Sequence, residues 1–275
     1  MKLFKSPDKL QTFGHNATIE CRNLSAGYGE DMVLQDISFS LPQGAQVALI
    51  GPNGAGKSTL FKVLSGLLPL TKGQVLIHGK PIKTHKNCIA YIPQKEDVDW
   101  KFPVTVYDVV LMGRWSHKKW FWPVSSHDKV LVQQSLKDMQ MWDFRDRPLA
   151  ELSGGQQQRV FIARALCQEP HILIMDEPFT GVDSATQETT LELLKELDKR
   201  KVTVIVSTHD LQMAQQRFRQ VMMLNHRMIC FDTPEKSFTP QNIQTVFGGQ
   251  TLHVGDNVVV DHCCGHDEGV PLGPF

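Results

Sequence analysis

The sequence has no excess of charge of either sign, since its 275 residues hold 29 Lys+Arg and 29 Asp+Glu. The electrostatic attraction that dominates nucleic-acid affinity is therefore missing from the chain as a whole, and a nucleic-acid partner is disfavoured. The chain also lacks any stretch approaching the roughly 20 uninterrupted apolar residues that a membrane-spanning helix needs. Residues 1–10 alternate charged and apolar side chains, where a signal peptide would carry an apolar run. A soluble protein that stays in the cytoplasm is expected. Cysteine is sparse: Cys21, Cys88, Cys167 and Cys230 are scattered, only Cys263 and Cys264 are adjacent, and no even framework of spacings appears. That argues against a disulfide scaffold and for reduced thiols, buried filler being the default role of the first four.

What is present is enough apolar material, 41% of residues, for one α/β domain or a domain with a subdomain. Short β-branched or alternating runs at 18–21 and 33–39 lead into the apolar run 47–50 and predict a small β-rich layer feeding a buried strand. Helical spacing follows over 59–67, and 75–77 and 88–92 predict further strands around Gly79. From about 105 to 168 the pattern is helical, interrupted by the aromatic and basic stretch 114–123 with Trp115, Trp120, Phe121 and Trp122. The β/α alternation resumes with a buried strand at 171–175, a helix over about 184–200, a strand at 202–207 and a helix from Asp210. This predicts a parallel sheet with an inserted helical lobe. Residues 236–275 read as a Gly-, Pro- and Asp-rich extension ending in a polar tail, and 1–17 as an N-terminal extension. No internal repeat is found.

Two places carry chemistry. Gly51, Pro52, Asn53, Gly54, Ala55, Gly56, Lys57 and Ser58, with Thr59 after them, follow an apolar strand and open a helix, which is the context a P-loop requires. Glycines let such a loop point its N–H groups at phosphate, and the helix N-terminus adds positive dipole there. Lys57 would neutralise the β- and γ-phosphates, and Ser58 would offer its hydroxyl to Mg²⁺. The strand at 171–175 delivers Asp176 and Glu177 at its carboxyl end, where ligands bind in open α/β sheets. Asp176 would hold Mg²⁺ through water, and Glu177 would stand where a water attacks the γ-phosphate. ATP with Mg²⁺ is the expected cofactor pair.

Leu152, Ser153, Gly154, Gly155 and Gln156 open another helix and form a second anion cradle, Ser153 acting as its cap. Five specified residues arise by chance in fewer than about one such chain in a thousand. The run resembles the signature of ABC ATPases. Other positions match that family in order over about 18–235: Tyr28 as the aromatic that stacks on adenine, Gln94 joining the two lobes and reaching Mg²⁺, Gly181, Val182 and Asp183 as the loop after the acids, and His209 beyond the strand at 202–207. The resemblance implies an α/β fold, a P-loop NTPase with a RecA-like core, an antiparallel β-subdomain and a helical subdomain at about 95–168. It also implies catalysis by Glu177, His209, Asp176 and Gln94. Only the first cradle has a lysine and a magnesium hydroxyl, so the second is expected to complete the first site of another copy, with ATP between the two subunits of a homodimer.

A non-transport ABC protein would carry two cassettes, a long coiled coil or a basic face, and a small-molecule kinase has no use for the second cradle. A transport subunit at the cytoplasmic face of a bacterial cell membrane is the reading left, with membrane permease subunits and, indirectly, an extracytoplasmic metal-binding protein as partners. The run at 95–114, with Trp100, Phe102 and Met112 as a socket for the permease, resembles the ATPases of manganese, zinc and iron-chelate importers, manganese most closely. His253, His262, Cys263, Cys264 and His266 offer metal ligands at short spacing, which admits a metal-sensing tail beside the plainer reading of a solvated one.

Overall fold

The computed structural model describes residues 17–84, 86–94, 103–115, 123–248, 251–254 and 257–260. Trp100, Phe102, Trp120, Phe121, Trp122 and the tail ligands from His262 to His266 lie outside the described residues, as does most of the N-terminal extension.

The described residues open with two long antiparallel strands, β1 (Ala17–Tyr28) and β2 (Asp31–Pro42), joined by a tight turn. The runs expected at 18–21 and 33–39 are the most apolar parts of these longer strands; β-bulges along β1 break the alternation that would have marked their full length. β3 (Gln46–Ile50) is fully buried and leads through the glycine-rich loop into α1 (Lys57–Leu64). β4 (Lys72–Ile77) and β5 (Lys80–Pro81) complete a four-stranded sheet in the order β2-β1-β4-β5. After β6 (Ile89–Ile92) comes the helical lobe: α2 (Val106–Met112), α3 (Ser126–Asp138) and α4 (Gly154–Cys167). Each of these three helices starts at a Ser or Thr that forms a capping box, at Thr105, Ser125 and Ser153. β7 (Ile172–Met175), α5 (Ser184–Lys199), β8 (Thr203–Ser207), α6 (Leu211–Arg217), β9 (Gln220–Asn225) and β10 (Arg227–Asp232) then complete a six-stranded sheet, ordered β10-β9-β3-β8-β7-β6.

The central strands of this sheet, β3, β7 and β8, parallel to one another, are buried on both faces, as parallel strands covered on both sides must be, and β10 closes one edge antiparallel to β9. Ala48, Ile50, Leu173, Met175, Val204 and Val206 face a core shared with the helical lobe. Their neighbours Val47, Leu49, Ile172, Ile174 and Ile205 face a second core shared with β1, β2 and α1. The sheet is thus the middle of three layers, and both lobes hang from it.

Beyond residue 233 the described residues form further regular structure. α7 (Pro234–Ser237) and α8 (Pro240–Phe247) each begin with proline at the first helical position behind a threonine. There the missing N–H costs nothing, so a proline that reads as a loop signal is also a helix start. α8 sinks Ile243, Val246 and Phe247 into the core of the helical-lobe side, each burial contributing about 1.5–3 kcal/mol. A short hairpin follows, β11 (Thr251–Val254) and β12 (Asn257–Val260). Arg114, expected at the start of an irregular stretch, is buried. Its guanidinium donates to Asp128 at 3.1 Å, to the Cys167 carbonyl at 2.9 Å and to Glu169 at 3.1 Å, tying α2, α3 and α4 together. Trp115 beside it is 62% exposed, and Met112 is partly buried at the end of α2.

Candidate active site: two phosphate cradles of unequal build

The carboxyl ends of β3, β7 and β8 converge on the loop before α1. The backbone of that loop is left-handed at Gly54 (φ 81°) and Gly56 (φ 95°), conformations that glycine adopts without steric cost. Gly51 is needed for closeness instead, since a Cβ there would lie 2.2 Å from the Leu224 carbonyl oxygen. The result is a cleft of about 490 Å³ lined by Asn53, Gly54, Ala55, Gly56, Lys57, Ser58, Thr59, Gln94 and Glu177, with Val33 of β2 on its rim.

Lys57 is buried and donates to the carbonyls of Gly51 at 2.8 Å and Pro52 at 3.1 Å. Burial pushes its ammonium below the ordinary lysine range, with Glu177 and Asp176 opposing the shift. The ammonium is thus held at the loop that would cradle phosphate, 4.0 Å from a Glu177 oxygen. Asp176 is 1% exposed. Its Oδ1 accepts from the Ser207 hydroxyl at 2.5 Å, and its Oδ2 is buried with no hydrogen-bond partner among the described residues. Burial pushes this carboxyl upward, and the hydroxyls of Ser207 and Ser58 pull it back. A buried carboxylate oxygen left open beside a serine hydroxyl is the donor set a hard divalent cation takes, so the residues present fit Mg²⁺.

Glu177 has φ 48°, uncommon for a residue with a side chain, and its N–H donates to Ser207 Oγ at 2.8 Å. Thr180 donates to its Oε2 at 3.2 Å, and His209 Nδ1 stands 3.8 Å from that same oxygen. His209 is 46% exposed in side chain, on the solvent side of the carboxylate. Ser207 therefore fixes both acids at once, and the sequence reading passed over it. Its signal was a hydroxyl at the last position of an otherwise apolar strand.

Three groups of predicted residues stand elsewhere. Tyr28, 49% exposed at the end of β1, does not line the cleft. Ser153, Gly154, Gly155 and Gln156 do not line it either. They form the N-terminus of α4, where Ser153 Oγ accepts from the Gln156 N–H at 3.3 Å and Gln156 Oε1 accepts from the Ser153 N–H at 2.9 Å. Asp183 caps α5, its carboxylate accepting from the Thr186 N–H at 2.8 Å, a bond that holds its carboxyl below the usual range. It also packs on α4: a Cβ on Gly155 would meet Asp183 Oδ2 at 2.3 Å and Thr186 Oγ1 at 2.6 Å. Gly155 is glycine because of that contact, which mechanically joins the loop after the acids to the second cradle.

A P-loop with a buried lysine, two acids at the next strand end and a second, lysine-free cradle on an inserted helical lobe define a nucleotide-binding ATPase of the P-loop class. The ABC transporter family matches residues 34–180. The chain is 43% identical over 250 residues to the manganese transport system ATP-binding protein MntB of Bacillus subtilis (strain 168), covering 91% of this chain and 99% of that one. It is 43% identical over 232 residues to the zinc transport system ATP-binding protein TroB of Treponema pallidum (strain Nichols), covering 84% and 87%. Among solved structures it resembles a dimeric post-hydrolysis state of the ATP-binding cassette MJ0796 bound to ADP and Pi, with TM-score 0.68 and 26% identity over 78% of this chain and 98% of that one. The protein belongs to the ABC transporter family and is one of its ATPases. Among the described residues no helix is long and apolar enough to cross a membrane.

Proposed function

We propose that this subunit hydrolyses ATP in a head-to-tail homodimer to power import of a transition-metal ion, manganese first and zinc or chelated iron as alternatives. The partners are membrane permease subunits at the cytoplasmic face of the membrane, supplied by an extracytoplasmic metal-binding protein. The observation that carries the dimer is the composition of the cleft: it has Lys57, Ser58, Gln94 and Glu177, and none of Ser153 to Gln156. One chain thus holds both cradles in separate places, and a second copy brings them together.

In that arrangement the N–H groups of the 51–58 loop bind the phosphates, and Lys57 exchanges its bonds to Gly51 and Pro52 for phosphate oxygens. Ser58, Asp176 and Gln94 would hold Mg²⁺, which when bound neutralises charge on the β- and γ-phosphates. Glu177 accepts the proton of a water whose oxygen attacks the γ-phosphorus while the bond to the ADP oxygen breaks. His209, beside Glu177, donates toward the γ-phosphate, and the partner copy's second cradle covers that phosphate from the opposite side. Loss of the bridging phosphate releases the two copies, which is the motion the permease uses.

The choice of metal rests on similarity to manganese and zinc transport ATPases, because the cargo has no place in the nucleotide cleft. Uptake of manganese and of zinc is therefore measured in cells lacking this gene, complemented by the wild-type chain or by Glu177→Gln. The expected result is manganese uptake restored only by the wild type. Restoration of zinc uptake alone moves the assignment to zinc. Restoration of neither excludes both and leaves chelated iron, whose uptake is measured in the same strains; failure there too removes metal import.

A further inference from the structure

At the amino ends of β6 and β7, the edge of the sheet opposite the nucleotide cleft, three side chains from three separate segments meet. One ring nitrogen each of His78 and His171 and the Cys88 sulfur all lie within 4.8 Å of one another. His171 Nδ1 and His78 Nε2 are 3.2 Å apart. That spacing is close to the roughly 3.3 Å edge of a tetrahedron built with zinc–nitrogen bonds of about 2.0–2.1 Å. We propose that His78, Cys88 and His171 form a binding site for a zinc-class divalent ion, with solvent or an outside donor as the fourth ligand.

The backbone carries each ligand to this point from its own segment. His78 and Gly79, both left-handed (φ 50° and 73°), form the two-residue turn between β4 and β5, and the His78 N–H donates to the Thr18 carbonyl at 3.0 Å. Cys88 is gripped from both sides, since the Gln168 side-chain amide donates to the carbonyls of Asn87 at 3.3 Å and Ile89 at 2.8 Å. The His171 N–H donates to the Cys88 carbonyl at 2.9 Å, and the Thr203 N–H donates to the His171 carbonyl at 3.0 Å. The backbone at all three positions is therefore set before any ion arrives, so mainly side-chain rotation remains to be ordered on binding. All three residues are half-buried, which leaves a way in for the ion and a position for its fourth ligand.

The donor set selects the metal. A thiolate with two imidazoles suits zinc, whereas manganese prefers carboxylate, carbonyl and water oxygens. Binding takes the thiol proton from Cys88 into solvent and moves the imidazole N–H between the two rings to an outer nitrogen, so both facing nitrogens can donate their lone pairs. The ion would join the β4–β5 turn to the first residues of β6 and β7. Asp176 lies at the far end of β7, about 16 Å away at about 3.3 Å per residue. The site is thus separate from the nucleotide's Mg²⁺ ligands yet on the strand that carries one of them.

The test titrates the full chain carrying Cys263→Ser and Cys264→Ser with Co²⁺, whose bond to a thiolate gives a near-ultraviolet charge-transfer absorption. A band at one ion per chain is expected, displaced by zinc and indifferent to manganese. Adding Cys88→Ser should abolish the band and weaken zinc binding at least about 100-fold, exceeding the 10–100-fold typical of losing an outer-shell partner. ATP binding at the opposite sheet edge checks that this variant is folded. In the unmutated chain, zinc should slow maleimide labelling of Cys88, read by mass spectrometry, by a similar factor. A band that survives Cys88→Ser, no band at all, or Cys88 labelling unaffected by zinc would overturn the proposal.

Discussion

The two phosphate cradles are both helix N-termini with glycine-rich entries, yet they are built differently. The loop at 51–58 is lined with its own cation and buried acids, and Lys57, Asp176, Glu177 and Ser207 are linked through short contacts. The loop at 153–156 has no lysine, and its hydrogen-bonding side chains satisfy each other, Ser153 with Gln156. A site with cation, base and cation-binding oxygen can bind phosphate unaided. A capped helix N-terminus has only its outward N–H groups and dipole, which favour a phosphate already held by something else. In the proposed dimer the first cradle would bind and cleave, and the second would clamp.

The largest effect expected is at the first cradle. Glu177→Gln removes the proton acceptor but keeps the shape, so ATP binding should persist while turnover falls by about 10²–10⁴-fold. The ATP-bound dimer should then accumulate, read by gel filtration with ATP. Near-normal turnover would take Glu177 out of the mechanism. Ser153→Arg should be nearly as damaging for a different reason, because its own cleft is intact and its copy's is spoiled. Mixed with Lys57→Ala, it can leave one composite site complete in the heterodimer, and part of the activity should return. Full activity of Ser153→Arg by itself would end the head-to-tail arrangement. Lys57→Ala should weaken ATP binding by about 10–100-fold, the loss of one charged hydrogen-bonding partner, measured by equilibrium titration. Unchanged affinity would contradict the role given to the first cradle.

The asymmetry was legible in the sequence because it rests on residue types at fixed spacing. The loop's glycines, its lysine and the two acids after an apolar strand each answer to a local rule. What could not be read depends on which segments meet in space. Ser207 fixes both acids from another strand, Asp183 fills the room that Gly155 leaves, and Arg114 ties three helices across 55 residues of sequence, from Arg114 to Glu169. The elements were legible for the same reason and to the same limit. The apolar runs of β3, β7 and β8 matched their strands, whereas bulged β1 and the proline-started α7 and α8 broke the periodicity or imitated loops.

The smallest expected effect sharpens the comparison from the side of stability. If the first cradle is built to receive charge, it should cost the empty protein something that the self-satisfied second cradle does not. Asp176 is where that cost sits: its carboxylate is buried, one oxygen has no hydrogen-bond partner among the described residues, and burial pushes its pKa up. A carboxylate with a raised folded pKa binds its proton more readily when folded than when unfolded. Stability therefore falls as pH rises from the ordinary aspartate value through the raised one, and the cost is complete above it. Asp176→Asn keeps an oxygen for Ser207 and removes the buried charge, so without nucleotide it should stabilise the fold at neutral pH. The gain should shrink as pH drops through that window, while turnover is lost because the cation's oxygen is gone. Urea denaturation of both proteins at several pH values without nucleotide measures it. A variant that is less stable than wild type at neutral pH would mean that the buried carboxylate is already well satisfied, and that the first cradle, like the second, stands complete without its ligand.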